Sequence, residues 1–129
     1  MTRLLGIDLG ERRIGLAIAE GDGASARPHS TLRRATDPDR DAAALAAVIA
    51  TDRIDELVVG LPLEASGAEG RLGPMKRGRS GGPPSKTQRD AYRARVDREA
   101  AAIILQDELD ARAVVDALRQ APIGAADRG

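Results

Sequence analysis

Apolar residues near the start of the chain fall into two short runs with a polar turn between them. The first run is Leu4 to Ile7, ended by Asp8, and the second is Ile14 to Ala19. Two apolar runs of this length around a glycine-containing turn are typical of a β-hairpin. Residues 3–20 are therefore predicted to form one.

The next segment predicts a short strand followed by a helix. Ser30 to Leu32 form a brief run suited to a third strand. From Asp37 to Ala50 the pattern is helical, because Asp37 or Asp39 can cap the first turn and Pro38 suits it. The apolar face of this helix is formed by Leu45, Val48 and Ile49.

Two further elements complete the regular pattern. Asp55 to Leu63 contains an unbroken apolar run stopped by Pro62, which predicts a fourth strand that is either central and buried or parallel to its neighbour. A final helix is predicted from about Lys86 to Leu118, with breaks left open. Its predicted buried side consists of Ile103, Ile104, Leu105 and Leu109.

Glycine and proline dominate the stretch between the fourth strand and the last helix. Residues 65–85 offer almost no apolar side chain to bury, so they are predicted to be flexible. Residues 1–120 are expected to form a single domain, and residues 121–129 a disordered tail.

Composition limits the class of protein. The chain has 129 residues and no cysteine, which excludes disulfides and thiolate chemistry. No apolar run approaches the ~20 residues that span a bilayer, and the N-terminus lacks the pattern of a signal peptide. We therefore expect a soluble, cytoplasmic protein without a membrane partner. Its oligomeric state is left open.

Asp8 is the most informative residue for chemistry. It lies between apolar runs, at a position where burying a carboxylate is costly unless something binds it. Carboxylates of this kind hold hard cations such as Mg²⁺ together with substrate phosphates. Asp8 is thus predicted to form half of a metal–phosphate site. The alternative is that it caps a turn.

Positive charge is concentrated late in the chain although the whole chain is neutral. Between Arg71 and Arg98 there are nine basic residues against two acids, Asp90 and Asp97. Such local density attracts phosphate backbones. The group Lys86, Arg89, Arg93 and Arg95 either contacts nucleic acid or forms a solvated helix face. The only histidine, His29, is expected in an exposed loop without a catalytic role.

Four motifs occur in the order in which one protein family carries them. They are Gly6-Ile7-Asp8-Leu9-Gly10; Arg13-Ile14-Gly15-Leu16-Ala17; Val58-Val59-Gly60-Leu61-Pro62-Leu63 with Gly67, Glu69 and Gly70; and Asp97 with Ala100, Ala101, Ile104, Leu105, Gln106 and Leu109. Over roughly residues 3–70 and 83–112, the chain resembles the bacterial Holliday junction resolvase family, also described as pre-16S rRNA nucleases.

The resemblance implies both a fold and an activity. The fold would be α/β, with a ribonuclease H-like mixed sheet flanked by helices. The activity would be that of a nuclease using Mg²⁺ or Mn²⁺ on structured nucleic acid, either branched DNA or the 5′ end of pre-16S rRNA. Asp8 and Asp97 match the family's catalytic and metal-binding acids. Arg13, Lys86, Arg89 and Arg93 are the candidate nucleic-acid-binding residues.

One family motif is absent from this chain. Family members carry a further strand that ends in Asp-Glu-Arg-Leu-Thr and supplies another metal-binding carboxylate, whereas this chain has the Gly/Pro/Arg stretch there. The fold is therefore expected to lack one strand and one helix. Glu11, Glu69 and Glu99 are candidate substitutes, with Glu69 the best placed. Glu99 is two residues past Asp97 and would face another way.

Two other classes of function stay open. The chain could be a catalytically inactive nucleic-acid-binding relic of the family. Its Gly-Ile-Asp-Leu-Gly hairpin also resembles the phosphate-binding hairpin of the sugar kinase, actin and Hsp70 group. Those proteins need two such domains, which 129 residues do not hold.

Overall fold

A computed structural model describes residues 2–21, 24–60 and 83–121. This part of the chain forms four strands and two helices. In chain order they are β1 (Arg3–Leu9), β2 (Arg13–Glu20), β3 (Arg27–Arg33), α1 (Pro38–Thr51), β4 (Glu56–Gly60) and α2 (Lys86–Gln120). Two predicted regions lie outside the described residues: most of the segment 65–85, including Glu69, and the tail after residue 121. Leu61–Leu63, predicted to end the fourth strand, lie outside them as well.

The strands form one mixed sheet in the order β3-β2-β1-β4. The predicted hairpin is confirmed, since β1 and β2 pair antiparallel from Arg3 opposite Glu20 to Leu9 opposite Ile14. On its other side β1 pairs with β4 in parallel. β3 adds antiparallel to β2, with a register shift between Leu16 and Ala17.

Side chains of β1 and β2 alternate between two apolar layers. Leu5, Ile7, Ile14 and Leu16 point to one face, where Leu45, Val48 and Ile49 of α1 pack against them. On the other face the cluster contains Leu4, Ala17 and Ala19 of the sheet with Ala101, Ala102 and Leu105 of α2. Because the strands alternate with a period of two, each helix covers one face of the same sheet.

Both helices begin where side-chain capping is available. The Asp37 carboxylate accepts a hydrogen bond from the Asp39 N–H at 2.9 Å, which confirms the cap of α1. At the start of α2, Ser85 and Gln88 form a reciprocal capping box. The second helix then continues without a break for 35 residues.

The strand β4 is parallel to β1, which confirms the parallel alternative of the prediction; the other alternative, a buried central strand, does not describe β4 within the residues that the structure describes. β4 lies at the edge of the sheet in the described part of the chain. Its Leu57 and Val59 are 45% and 56% exposed on the α1 side, because α1 packs over β1 and β2. An unbroken apolar run therefore predicts a strand, but it does not tell whether that strand lies in the middle or at the edge of the sheet.

Two local predictions are also corrected. β3 is longer than Ser30–Leu32, because it pairs with β2 from Arg27 to Arg33. His29 therefore lies in a strand rather than a loop, although it is exposed as expected. Its Nε2 lies 3.2 Å from the Asp52 carboxylate.

The predicted α/β class is confirmed. A four-stranded mixed sheet with a helix on each face agrees with a ribonuclease H-like fold shortened by one strand and one helix over the residues described. Neither helix combines the length and the apolar character required to cross a bilayer, within the same described ranges.

Candidate active site

Asp8 lies near the end of β1, in the middle of the sheet. Its neighbours across the sheet are both glycines, Gly15 on β2 and Gly60 on β4. By strand alternation Asp8 is on the same face as Leu4 and Gly6, which is the face covered by α2. The space above these two glycines is occupied by α2, and Asp8 is only 8% exposed.

Asp97 approaches from α2, directly above Gly15. A Cβ atom built on Gly15 would lie 1.9 Å from the Asp97 carbonyl oxygen and 2.4 Å from its carbonyl carbon. Only glycine fits at such a separation. The close approach of the helix backbone to β2 thus brings Asp97 next to Asp8, although the two residues are far apart in sequence.

One oxygen of each carboxyl group is buried without a hydrogen bond in the described structure. These oxygens are Asp8 Oδ1 and Asp97 Oδ2. Burial raises the pKa of Asp8 above its ordinary value, and the nearby charge of Asp97 raises it further. Burial also raises the pKa of Asp97, although Arg13 and Arg93 partly oppose this effect.

Arg13 connects the acid pair to the start of α2. Its Nη1 lies 3.7 Å from Asp97 Oδ2, and its Nη2 lies 3.9 Å from Asp90 Oδ1. The two aspartates are seven residues apart, so they fall on the same side of the helix. Arg13 is mostly buried, with 15% of its side chain exposed. It therefore acts as a counter-charge to Asp97 before any substrate binds.

The donor set fits one hard divalent cation. Orphaned carboxylate oxygens with raised pKa values are stabilised when a cation replaces the missing partners. Mg²⁺ is commonly bound by one or two carboxylates together with substrate phosphates. No third acidic or histidine ligand joins Asp8 and Asp97 within residues 2–21, 24–60 and 83–121. A pair of ions would therefore lack ligands there.

The proposed substitute ligands do not complete the set. Glu11 lines a cavity beyond the turn of the hairpin. Glu99 is only partly buried on α2 and forms no three-residue ligand group with Asp97. Glu69 lies outside the described residues.

A cavity of about 570 Å³, here called the basic cavity, opens beside the acid pair. It lies between the β1–β2 turn, the end of β3 and the start of α2. Its lining residues are Glu11, Arg12, Arg13, Arg33, Arg34, Ala35, Thr36, Lys86, Asp90 and Arg93. Among the predicted nucleic-acid-binding residues, the structure brings Arg13, Lys86 and Arg93 to this one cavity. It does not place Arg89 there, whose Nη1 instead donates to the Pro84 carbonyl oxygen at 2.6 Å.

Sequence reasoning missed the contribution of β3 to this surface. Arg33 and Arg34 follow the third strand as an adjacent basic pair, and Arg12 precedes Arg13 in the hairpin turn. Short basic pairs at strand ends were the available signal. Their convergence depends on the pairing of Arg13 with Arg33 across β2 and β3, which a sequence alone does not specify.

The chain is similar to a known family and to several named proteins. A profile of a family described as Holliday junction resolvase matches residues 2–77. A protein of Anaeromyxobacter sp. (strain Fw109-5), named "Putative pre-16S rRNA nuclease", is 37% identical, over 85% of this chain and 98% of its own length. A protein of the same name from Anaeromyxobacter dehalogenans (strain 2CP-1 / ATCC BAA-258) is 36% identical, over 86% and 98%.

Proposed function

Because the chain belongs to the Holliday junction resolvase family, we propose that it is a nuclease that hydrolyses phosphodiester bonds in structured nucleic acid with Mg²⁺ or Mn²⁺. The names of its relatives favour the 5′ end of pre-16S rRNA as substrate, in the cytoplasm, with branched DNA as the other candidate. The observation that carries the proposal is the convergence of two carboxylates, each with one buried oxygen that accepts no hydrogen bond.

The acid pair would hold the cation. Asp8 is fixed by its pairing in the middle of the sheet, and Asp97 by the packing of α2 on Gly15. A bound divalent ion would polarise a phosphoryl oxygen and lower the pKa of its water ligand. Since both carboxyl groups have raised pKa values, a bound cation would favour their ionised forms.

Arg13 would have a positioning role in this site. Its guanidinium lies near both Asp97 and Asp90, which would restrain the Asp97 carboxylate. The guanidinium also lines the basic cavity, so it lies between the acid pair and the surface where a nucleic-acid backbone would approach.

A second candidate function is binding of nucleic acid without cleavage. The observation that favours it is the absence of a third carboxylate or histidine ligand among the described residues. Carboxylates offset the repulsion between two cations, so a site with two acids would bind a pair of ions weakly. Binding by the basic surface does not depend on that ligand.

The deciding experiment measures cleavage of an end-labelled pre-16S 5′ leader and of a four-way DNA junction, with Mg²⁺ or Mn²⁺. We expect cleavage that Asp8→Asn abolishes and excess EDTA prevents. Asp107→Asn is the matched control, since Asp107 is an exposed acid on the same helix as Asp97. Cleavage that survives Asp8→Asn would refute the proposed site.

Calorimetry with Mn²⁺ separates the two candidate functions. Mn²⁺ uptake that is lost in Asp8→Asn supports the nuclease. Cooperative unfolding without Mn²⁺ uptake, combined with retained nucleic-acid binding, supports the inactive binding protein instead.

A further inference from the structure

The basic cavity holds more positive charge than its own acids compensate. Six of its ten lining residues are basic and two are acidic. The pairing of Arg13 with Asp90 and Asp97 accounts for one cation. Arg34 accounts for another, since its Nε lies 3.1 Å from the Asp41 carboxylate and its Nη1 donates to the Gly10 carbonyl oxygen at 3.0 Å.

Four cations remain in the cavity without an ion-pair partner among the described residues: Arg12, Arg33, Lys86 and Arg93. Glu11 is the one lining acid left to oppose them. Like charges gathered in a concave surface repel one another and concentrate anions from solution. The cavity is thus suited to an anion that supplies several acceptor oxygens.

Two arginines that line the basic cavity also lie close to Asp97. Arg13 lines the cavity and also lies 3.7 Å from Asp97 Oδ2. Arg93, another lining residue, is close enough to Asp97 to lower its pKa. An anion in the cavity would therefore lie next to the position where the acid pair would bind a cation.

The surface continues beyond the cavity along β3 and the first turns of α2. A second cavity of about 420 Å³ shares Arg13, Arg33 and Asp90 with the first. Its other lining residues are Thr31, Thr87, Ala91 and Ala94, which are small or hydroxylated. Two adjoining cavities form a groove, and a groove suits a chain of phosphates better than one isolated ion.

From this geometry we infer that the basic cavity binds a backbone phosphate that is not cleaved, on the same nucleic-acid strand as the scissile phosphate. Arg12, Arg33, Lys86 and Arg93 contact its oxygens. The strand then continues along the groove between β3 and α2. The inference rests on the proposed nuclease function for its substrate class, and it assigns to β3 a binding role that the acid pair does not require.

The test measures equilibrium binding without catalysis. A fluorescent, end-labelled RNA stem-loop of the pre-16S 5′ leader is titrated with protein in EDTA at several salt concentrations, and anisotropy is recorded. The variant is the double substitution Arg33→Gln with Lys86→Gln, which removes one cation from each side of the cavity. Arg95→Gln is the matched control, because Arg95 is exposed on α2 and does not line either cavity.

We expect the double variant to weaken binding roughly tenfold at low salt and to reduce the slope of log Kd against log salt by up to about 2, since removal of each phosphate-contacting cation lowers the slope by about 1. Arg95→Gln should leave both quantities close to those of the unmodified protein. Thermal melts of the double variant and of the unmodified protein are compared before any titration. If the double variant is unfolded, the double substitution Arg12→Gln with Arg93→Gln replaces it.

An unchanged slope and Kd in a folded double variant would overturn the inference. So would displacement of the RNA by inorganic phosphate as effectively as by a phosphodiester oligonucleotide at equal ionic strength, since that result indicates a site for free anions. The outcome is distinct from failure of the nuclease proposal. Absence of cleavage with intact, cavity-dependent binding refutes catalysis alone, whereas cleavage with cavity-independent binding refutes this inference alone.

Discussion

Gly15 is the residue through which the packing of α2 determines the geometry of the acid pair. The substitution Gly15→Ala adds one methyl group whose carbon would lie 1.9 Å from the Asp97 carbonyl oxygen and 3.1 Å from the Arg98 nitrogen. Both contacts are with helix backbone, so no side-chain rotation relieves them. Reaching an ordinary separation of 3.4 Å requires α2 to move from β2 by about 1.5 Å.

This displacement affects both stability and function. Overpacking in a close-packed interior costs about 1–3 kcal/mol, and the backbone contact places Gly15→Ala near 3 kcal/mol. With a urea dependence of about 1.5 kcal/mol/M, the unfolding midpoint falls by about 2 M. Because Asp97 moves with the helix, cleavage should fall by about 100-fold, as expected for a displacement near 1 Å at a catalytic group.

Gly60→Ala is the matched control for this experiment. Gly60 adjoins Asp8 from the opposite strand, and its added carbon would lie 2.7–2.9 Å from side-chain atoms of Ile104. A side chain can change rotamer, so the loss of stability should be smaller and Mn²⁺ binding should persist. Urea unfolding followed by circular dichroism and Mn²⁺ calorimetry measure both effects. Gly15→Ala with unchanged midpoint and unchanged Mn²⁺ affinity would refute the reasoning.

Three further predictions concern ionisable groups. In the metal-free protein, Asp8→Asn should raise the free energy of unfolding by about 1 kcal/mol at pH 7, because it removes a buried charge without a hydrogen-bond partner. Because the pKa of Asp8 is raised in the folded protein, its ionised form destabilises the fold as the pH rises. Below pH 3.8 the carboxyl group is protonated in both the folded and the unfolded chain, so the gain in the free energy of unfolding, measured with urea, should vanish. An equal gain at pH 3 would contradict this prediction. Arg13→Gln should raise the pKa of Asp97 further in an NMR titration of its carboxyl carbon, whereas Arg95→Gln should not. Asp41→Asn should lower stability at pH 7, because a backbone hydrogen bond from Ala35 lowers the pKa of Asp41. This loss should shrink as the pH falls below 3.8 and through the lowered pKa of the folded protein; a pH-independent loss would contradict this.

The elements that the sequence predicts well are those with strong local signals. The hairpin follows from two apolar runs and a turn, and α1 follows from Asp37 and its apolar face. The close packing of α2 on the sheet depends instead on Gly15, Gly6 and Gly60, which lie on three adjacent strands and leave room for it. Packing between segments that are distant in the sequence does not show in the spacing of apolar residues, so the sequence did not tell whether the helix is continuous.

The candidate site was predictable in part for a similar reason. Asp8 is a conspicuous polar residue between apolar runs, and resemblance to a family identified Asp97. The structure places the two together, but their roles in catalysis and metal binding stay predictions. The basic cavity was only half visible, because Arg12 and Arg33 join Lys86 and Arg93 through strand register and helix packing.

The two acids come from the first strand and the last helix, about 90 residues apart in the chain. During synthesis the hairpin that carries Asp8 leaves the ribosome long before α2 exists. A nascent or truncated chain that ends before α2 therefore contains only one acid of the pair. In the proposed nuclease, binding of the cation would thus have to await synthesis of α2.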